Sequence, residues 1–245
     1  MVKNSFEITV PVLNEEQILD RNIKILHKYL SDNILSYSWN IIIADNGSTD
    51  RTENIGMSLT NYSDLIKYVR IEEKGVGGAL KKSWAQSNAS IIGFIDLDLA
   101  VDLKYIEKAI NAIHQVNYDI VYGTRLHRDA EVIGRSLKRE IISRLFNSIL
   151  KKYLGTGISD GMCGFKFLKR GIFNNLVQYG ANSTGWFYST EIVIVGEWLG
   201  YNIMELPVKW SDSQGSHVKV IHLAIEYIKA MKKLKNILQN NQKNG

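Results

Sequence analysis

The sequence predicts an α/β fold with a mostly parallel central sheet and helices on both of its faces. Two patterns predict it. Short, continuous apolar runs alternate with segments of helical periodicity, as strands buried on both sides require. Each of these runs also ends in a polar cluster rich in Asp, Asn, Gly or Lys, and ligands of such sheets gather at the carboxyl ends of the strands.

The elements follow in order. Phe6–Leu13 reads as a first strand, and residues 14–30 show helical spacing through Ile18, Ile23, Leu26 and Leu30. Trp39–Asp45 is a buried-type strand stopped by the turn signal Asn46-Gly47-Ser48. Leu65–Ile71 is a third strand and Val76–Gln86 a helix; Ile91–Asp96 is a fourth strand, followed by a helix over Leu103–His114. Ile120–Gly123 is a fifth strand, and Pro207–Trp210 a later one. Repeated β-α units of this kind make a layered α/β domain.

With 245 residues and 45% hydrophobic content, the chain can bury a sizeable core as one large domain or two closely fused ones. Only two prolines occur, Pro11 and Pro207, and no linker, repeat or low-complexity stretch is visible. The single cysteine, Cys163, excludes an intramolecular disulfide. Residues 1–13 lack the pattern of a secretory signal and no run suits a membrane span, so a reducing, cytoplasmic setting is expected.

The net charge of +5 is unevenly placed. Residues 1–122 carry 12 Lys/Arg against 16 Asp/Glu, whereas residues 123–245 carry 18 against 9. An acidic half suits a metal ion, and a basic half suits phosphates or an anionic membrane surface. No RNP, zinc-finger or helix-turn-helix signature appears, so nucleic acid is not an expected partner.

Four clusters carry the chemistry. In Pro11-Val12-Leu13-Asn14-Glu15-Glu16, a carboxylate can accept hydrogen bonds from ribose hydroxyls, while Asn14 equally suits a helix N-cap. In Asp45-Asn46-Gly47-Ser48-Thr49-Asp50, a strand-end acid, a tight turn and a second acid form a compact polar pocket. There Asp45 can accept a base N–H or bond a ribose, and Asp50 can cap the next helix. In Lys74-Gly75-Val76-Gly77-Gly78-Ala79-Leu80, glycines allow close backbone approach and a helix N-terminus favours phosphate. Leu80 occupies the last glycine position of a dinucleotide fingerprint, which argues against a nicotinamide cofactor. In Asp96-Leu97-Asp98 two carboxylates can approach one cation, and oxygen ligands suit Mg²⁺ or Mn²⁺ with a diphosphate completing the shell.

In this order and at this spacing, the four motifs resemble those of the family-2 glycosyltransferases. That resemblance implies the GT-A fold, with a Rossmann-like sheet. Within the family the chain looks most like the polyprenyl-phosphate glycosyltransferases of the dolichyl-phosphate glucose and mannose synthase type. The narrower likeness rests on Asp160-Gly161-Met162-Cys163-Gly164-Phe165-Lys166, Gly123-Thr124-Arg125 and Gly215-Ser216. It covers roughly residues 5–220. The chain departs from the pattern at Asn46, where a second acid is common, and at Ser189, where Asp or Gln is common. At Ala100, mannose-type members extend D-x-D to D-x-D-x-Q; its absence favours glucose.

The resemblance implies an inverting transfer of a hexose from a nucleotide-sugar donor, UDP favoured over GDP, to a polyprenyl (dolichyl) phosphate. Asp96 and Asp98 would hold Mg²⁺ or Mn²⁺. Donor contacts are implied for Pro11, Asn14, Glu15, Asp45, Asn46, Ser48 and Asp50, and for Lys74, Gly75, Gly78 and Asp96. Arg125, Ser216 and Lys219 would contact the acceptor phosphate or the diphosphate, while Asp98, Asp160, Glu191 and Arg125 make up the catalytic set. The expected organisation is a catalytic domain over 1–215, with a donor half (1–122) and an acceptor half (123–215). A closing loop and a basic amphipathic helix follow over 216–245. A rival acceptor is a sugar hydroxyl in a growing surface polysaccharide, which would need Asp160 or Glu191 as a base. A non-catalytic nucleotide-sugar-binding or membrane-adaptor protein is the third reading, opposed by intact Asp45, Lys74, Asp96 and Asp98.

Two segments suggest how such a chain meets a lipid. Residues 136–154 set Leu137, Ile141, Ile142, Leu145, Phe146, Ile149 and Tyr153 beside basic residues, and His222–Leu238 repeats the pattern through Ile225, Ile228, Met231 and Leu234. Such helices either lie in a membrane interface, cover a membrane-protein partner, or pack on the sheet with basic outer faces. The expected location is therefore cytoplasmic, peripheral on the cytoplasmic membrane face.

Overall fold

The structure is a computed structural model that describes residues 4–72, 75–211 and 220–244. Its centre is a seven-stranded sheet. The strands are β1 (Ser5–Val12), β2 (Ser38–Asp45), β3 (Ile66–Arg70), β4 (Ile91–Ile95), β5 (Ile120–Thr124), β7 (Phe165–Lys169) and β8 (Ile203–Pro207), in the spatial order β3-β2-β1-β4-β7-β5-β8. Only β7 runs antiparallel to its neighbours, β4 and β5. β6 (Glu131–Ile133) pairs in parallel with β9 (Lys209–Ser211) in a separate two-stranded sheet. The expected α/β sheet is therefore present, and it joins strands from both halves of the chain.

Successive strand residues point to opposite faces, and the core divides accordingly. On one face Ile91 and Ile95 pack with α1 (Leu19–Asn33) and α4 (Lys104–His114). On the other, Ile92 and Phe94 pack with α3 (Val76–Gln86), α7 (Tyr188–Trp198) and α8 (Val220–Asn244). Helices α2 (Thr52–Tyr62), α5 (Leu137–Leu154) and the short α6 (Phe173–Gln178) complete the cover.

Three expectations shift. The first helix starts at Leu19 rather than Asn14, because residues 14–18 form a turn in which the Glu15 carbonyl accepts from Ile18 and Leu19. Asn14 is therefore not its N-cap. The Pro207–Trp210 strand is split at Val208, whose N–H still bonds the Thr124 carbonyl at the end of β5 while its own carbonyl turns to accept from Glu131 of β6. The long basic segments also differ from each other. In α8, Tyr227, Met231 and Leu234 are buried in the core. In α5 the buried residues are Ser143, Asn147 and Leu150, and most of the apolar stripe faces outward. Among the described residues no helix is long and apolar enough to cross a membrane.

Candidate active site

The loops after β1 and β2 are stitched together above the sheet. Asn14 sits in the left-handed region (φ 57°), which Asn tolerates better than most residues. Its N–H donates to Ser48 Oγ at 2.9 Å, and its Oδ1 accepts the Thr49 N–H at 2.8 Å. Asp50 accepts from the N–H groups of Glu16 and Thr52, and the Glu15 N–H donates to Thr52 Oγ1. Asp45, fully buried at the end of β2, accepts from the Ser48 N–H at 2.8 Å and the Tyr68 hydroxyl at 2.6 Å, with Arg70 Nη1 at 3.5 Å. Arg70 also donates to the Ser48 carbonyl. Sequence reasoning missed Tyr68 and Arg70, since their role appears only when β3 pairs with β2 in register, Asp45 opposite Arg70. Beside Asp45, Asn46 is buried and its Oδ1 has no hydrogen-bond partner. Pro11 is buried within β1 opposite Ala44.

Three acids, Glu15 after β1 and Asp96 and Asp98 after β4, converge from two strand ends. Burial raises the pKa of Glu15, and the negative charges of Asp98 and Asp50 raise it further. Asp96 follows β4 directly, and its N–H extends the β4–β7 pairing to the Gly164 carbonyl. Burial and the neighbouring Asp98 push the Asp96 carboxyl up to about 6. A Cβ at Gly164 would lie 1.8 Å from Asp96 Oδ2, so only glycine admits the carboxylate there. Leu99 turns the chain at φ 52°, and Asp98 Oδ1 accepts the Ala100 N–H at 3.1 Å. Asp96, Asp98, Gly164 and Trp210 line one pocket.

These residues fit a divalent cation. Asp96 Oδ1 is buried without a hydrogen-bond partner, the pocket supplies hard oxygen donors, and a cation would relieve the repulsion that raises Asp96. Among the described residues no group of three His, Cys, Asp or Glu side chains surrounds the position. Two carboxylates plus oxygens from a ligand suit Mg²⁺ or Mn²⁺.

Beyond the pocket lies a basic group. Trp210 is placed by β9, which pairs with β6 at Val132 and meets Val101 in an isolated bridge. Arg125 and Arg135 both lie over its indole ring, at 5.6 and 5.9 Å from the centroid. Arg125 Nε donates to Asp160 Oδ2 at 2.8 Å and Nη2 to Oδ1 at 2.9 Å. Burial works to raise the Asp160 pKa, but the Arg125 charge and hydrogen bonds outweigh it and hold the carboxyl below its ordinary value. The fork of Arg125 expected to face a phosphate is thus turned partly onto Asp160. Arg135, absent from the sequence-level candidates, pairs with Glu140 at 2.8 Å; its pKa is lowered by burial and by Arg125. Asn147 of α5 accepts the Gly161 N–H at 3.1 Å, and one turn earlier Ser143 Oγ is buried without a partner.

Lys166, quoted only as part of a motif, is fully buried on β7. Its Nζ donates to the carbonyls of Gly161 and Cys163 at 3.0 and 2.6 Å, closing the 160–166 loop from beneath. Burial pushes its pKa down to about 8. Cys163 is a packed, buried thiol pushed up to about 12 by burial.

Two candidates play other parts than expected. Glu191 is buried on α7, where its oxygens accept the Ser183 N–H at 2.8 Å and the Ser183 hydroxyl at 2.5 Å. Both oxygens are thereby spent on the loop before α7. That loop explains the glycines. A Cβ at Gly75 would meet the Thr184 carbonyl oxygen at 2.3 Å, and one at Gly77 the Ser183 oxygen at 2.5 Å. Gly75 and Gly77 admit this neighbouring backbone, and only Gly78 opens onto free space. Lys74, Ser216 and Lys219 lie outside the described residues.

Comparison with known proteins agrees with this layout. The glycosyl transferase family 2 model matches residues 7–177. The chain is 26% identical over 215 residues to glycosyltransferase AglD of Haloferax volcanii, covering 87% of this chain but 34% of that relative, so it spans about a third of that protein's length. It is 28% identical over 237 residues to a dolichyl-phosphate beta-glucosyltransferase of Dictyostelium discoideum, covering 91% and 71% of the two chains. Among solved structures, glucosyl-3-phosphoglycerate synthase from Mycobacterium tuberculosis, in complex with Mn²⁺, UDP and glucosyl-3-phosphoglycerate, superimposes with a TM-score of 0.67 at 18% identity, covering 96% and 80%. At that identity the likeness speaks for the fold alone. The motif-bearing strand ends and the matched family model lead to one conclusion: the chain belongs to glycosyl transferase family 2.

Proposed function

We propose that the protein transfers a hexose, glucose favoured, from a UDP-sugar to a polyprenyl phosphate by direct, inverting displacement. One observation carries the reading: the acidic pair Asp96 and Asp98 and the basic pair Arg125 and Arg135 meet at Trp210. Two anionic substrates, a nucleotide diphosphate and a phosphate acceptor, need this juxtaposition to approach each other. The similarity to dolichyl-phosphate beta-glucosyltransferases supports the acceptor and the sugar. The related fold crystallised with Mn²⁺ and UDP, or with Mg²⁺ and UDP, supports the donor and the metal.

In this reading residues 1–122 form the donor side and 123–215 the acceptor side. Asp45, Ser48, Asn14 and Asp50 shape the nucleoside pocket, with the unpartnered Oδ1 of Asn46 able to accept from it. Asp96 and Asp98 would hold the metal, which supplies Lewis-acid stabilisation of the leaving diphosphate. Glu15 adds negative potential to that site. Arg125 and Arg135 neutralise the acceptor phosphate, and Asp160 orients the Arg125 guanidinium. A phosphate carries most of its second charge at neutral pH and needs no base. That matters, because neither expected base is poised to take a proton. Asp160 is ion-paired with a lowered pKa, and Glu191, although burial raises its pKa, has both oxygens engaged by Ser183. The same geometry weighs against the sugar-hydroxyl acceptor. A lipid acceptor also implies peripheral membrane contact, on the face where the nucleotide sugar is available.

The test is incubation with Mn²⁺, a panel of nucleotide sugars and a short polyprenyl phosphate. UDP-glucose should give a lipid-linked product, and no lipid-linked product with any donor would overturn the reading.

A further inference from the structure

The backbone of Trp210 is tied to both sides of the site. On one edge of β9 the Ser211 N–H donates to the Ala100 carbonyl at 2.8 Å, and the Lys209 carbonyl accepts the Asp102 N–H at 3.0 Å. The Ala100 N–H in turn donates to Asp98 Oδ1, so β9 and the cation pocket share one peptide unit. On its other edge β9 pairs with β6, where Trp210 stands opposite Val132, three positions before Arg135. Just upstream, β8 sets Pro207 opposite Thr124, the residue before Arg125. Three segments far apart in sequence, bearing Asp98, Arg125 and Arg135, are thus registered against one short strand.

The side chain repeats what the backbone does. Trp210 is 9% exposed, lines the pocket of Asp96 and Asp98, and carries both guanidiniums over its indole. Two cations held this close repel each other; burial lowers the Arg135 pKa and the Arg125 charge lowers it further. Their carboxylates do not join them, because Asp160 holds Arg125 and Glu140 holds Arg135, the latter shared with Arg144. What the two arginines have in common is the ring. Its negative face attracts a guanidinium, and tryptophan offers the strongest such face of any side chain. Arg125 spends Nε and Nη2 on Asp160, and among the described residues no acceptor takes its Nη1. The cradle therefore keeps N–H groups and uncompensated positive charge for an incoming anion.

We propose that Trp210 is the positioning residue of the acceptor-phosphate cradle, its indole holding Arg125 and Arg135 side by side at the edge of the cation pocket. The proposal deepens the lipid-phosphate reading and rests on it for the identity of the phosphate. It separates the two substrates, since the ring supports the arginines that meet the acceptor, whereas Asp96 and Asp98 serve the metal and donor without it. Leucine would fill much of the same space but has no π face, and phenylalanine keeps a smaller one.

The test is steady-state transfer to a short, water-soluble polyprenyl phosphate by Trp210→Leu and Trp210→Phe, with UDP binding in the presence of Mn²⁺ measured by isothermal titration. Trp210→Leu should raise the acceptor KM at least about tenfold while the UDP affinity stays within about threefold, and Trp210→Phe should recover most of the loss. In an Arg135→Ala background, the effect of either substitution should shrink to less than about twofold, because the group being positioned is gone. Should Trp210→Leu not fold, the same cycle built with Trp210→Phe reads the coupling, with an expected rise in KM of about threefold that vanishes with Arg135. An unchanged acceptor KM overturns the proposal, as does an effect of equal size with and without Arg135. A fall in UDP affinity as large as the loss of acceptor affinity would also overturn it, assigning Trp210 to the cation pocket. If the wild type transfers to no polyprenyl phosphate with any donor, the acceptor reading falls separately. The cradle is then read by titrating inorganic phosphate into the protein loaded with Mn²⁺ and UDP. Binding weakened at least about tenfold in Trp210→Leu would sustain the positioning role, and equal binding, or none by the wild type, would end it.

Discussion

Arg125 and Asp160 form a buried two-point ion pair, Nε to Oδ2 at 2.8 Å and Nη2 to Oδ1 at 2.9 Å, and the Arg125 N–H adds a third bond to Oδ2 at 3.1 Å. Asp160 is fully buried and Arg125 nearly so. Removing one partner of such a pair leaves the other charge stranded, at a cost of about 3–5 kcal/mol. Asp160→Ala should therefore lower the unfolding free energy by about that amount, measured by urea denaturation.

The same pair sets a pH dependence. Because the folded pKa of Asp160 is lowered, the unfolded chain takes up its proton first as the pH falls. The stabilisation is fully present above the unfolded carboxylate pKa of about 4 and is lost as the pH falls through the folded value. Asp160→Asn has no such titration. The gap in unfolding free energy between wild type and Asp160→Asn should stay constant above about pH 5 and narrow below about pH 4. A gap that stays constant down to about pH 3 would contradict the lowered pKa.

Gly164 tests the cation site without removing a ligand. An alanine methyl would sit 1.8 Å from Asp96 Oδ2, so the carboxylate must rotate away from the pocket it lines. Gly164→Ala should weaken Mn²⁺ binding at least tenfold, or by about 1.4 kcal/mol, read by isothermal titration in the presence of UDP. Asp98→Ala should abolish transfer outright, since it removes one of the two carboxylates the site offers. Unchanged activity in Asp98→Ala would place the chemistry elsewhere.

The glycines of the third cluster separate two roles that the sequence cannot. Gly75 has φ 145° and would clash with the Thr184 carbonyl, so Gly75→Ala should be strongly destabilising. Gly78 lies inside α3 with nothing within 4 Å of a Cβ, so Gly78→Ala should gain up to about 1 kcal/mol of stability from helix propensity. If Gly78 also faces the donor, the stabilised variant should show a raised KM for UDP-glucose with kcat little changed. Thermal melts and steady-state kinetics on the two variants read both effects.

What the sequence made legible follows from where the signal is local. Apolar runs ending in Asp45 and Asp96 marked strands and their carboxyl ends, and both acids stand there. β7 was not anticipated as a strand, because Phe165–Lys169 carries the buried Lys166, whose ammonium is satisfied by carbonyls of its own preceding loop. Arg135 escaped because nothing near it in sequence signals Trp210, which arrives 75 positions later through β6–β9 pairing. The apolar residues of α5 and α8 looked alike in periodicity. Only the tertiary arrangement separates Met231 and Leu234, buried in the core, from Leu145 and Ile149, which face outward.

Glu191 discriminates between the acceptor classes. If the nucleophile were a sugar hydroxyl and Glu191 its base, the carboxylate-to-amide change would remove the proton acceptor and cost several orders of magnitude in kcat. In the structure its oxygens serve Ser183, whose loop packs on Gly75 and Gly77. Gln keeps one acceptor oxygen for that loop, so Glu191→Gln should retain transfer to polyprenyl phosphate within about tenfold, a change worth no more than about 1.4 kcal/mol in the barrier. Glu191→Ala leaves the half-buried Ser183 N–H and hydroxyl without their acceptor and should lose about 1–3 kcal/mol of stability in all. The pH profile of Glu191→Gln should keep the wild-type shape, because no base has been lost. A near-complete loss of kcat in Glu191→Gln at unchanged melting temperature would restore the hydroxyl acceptor and overturn the positioning role.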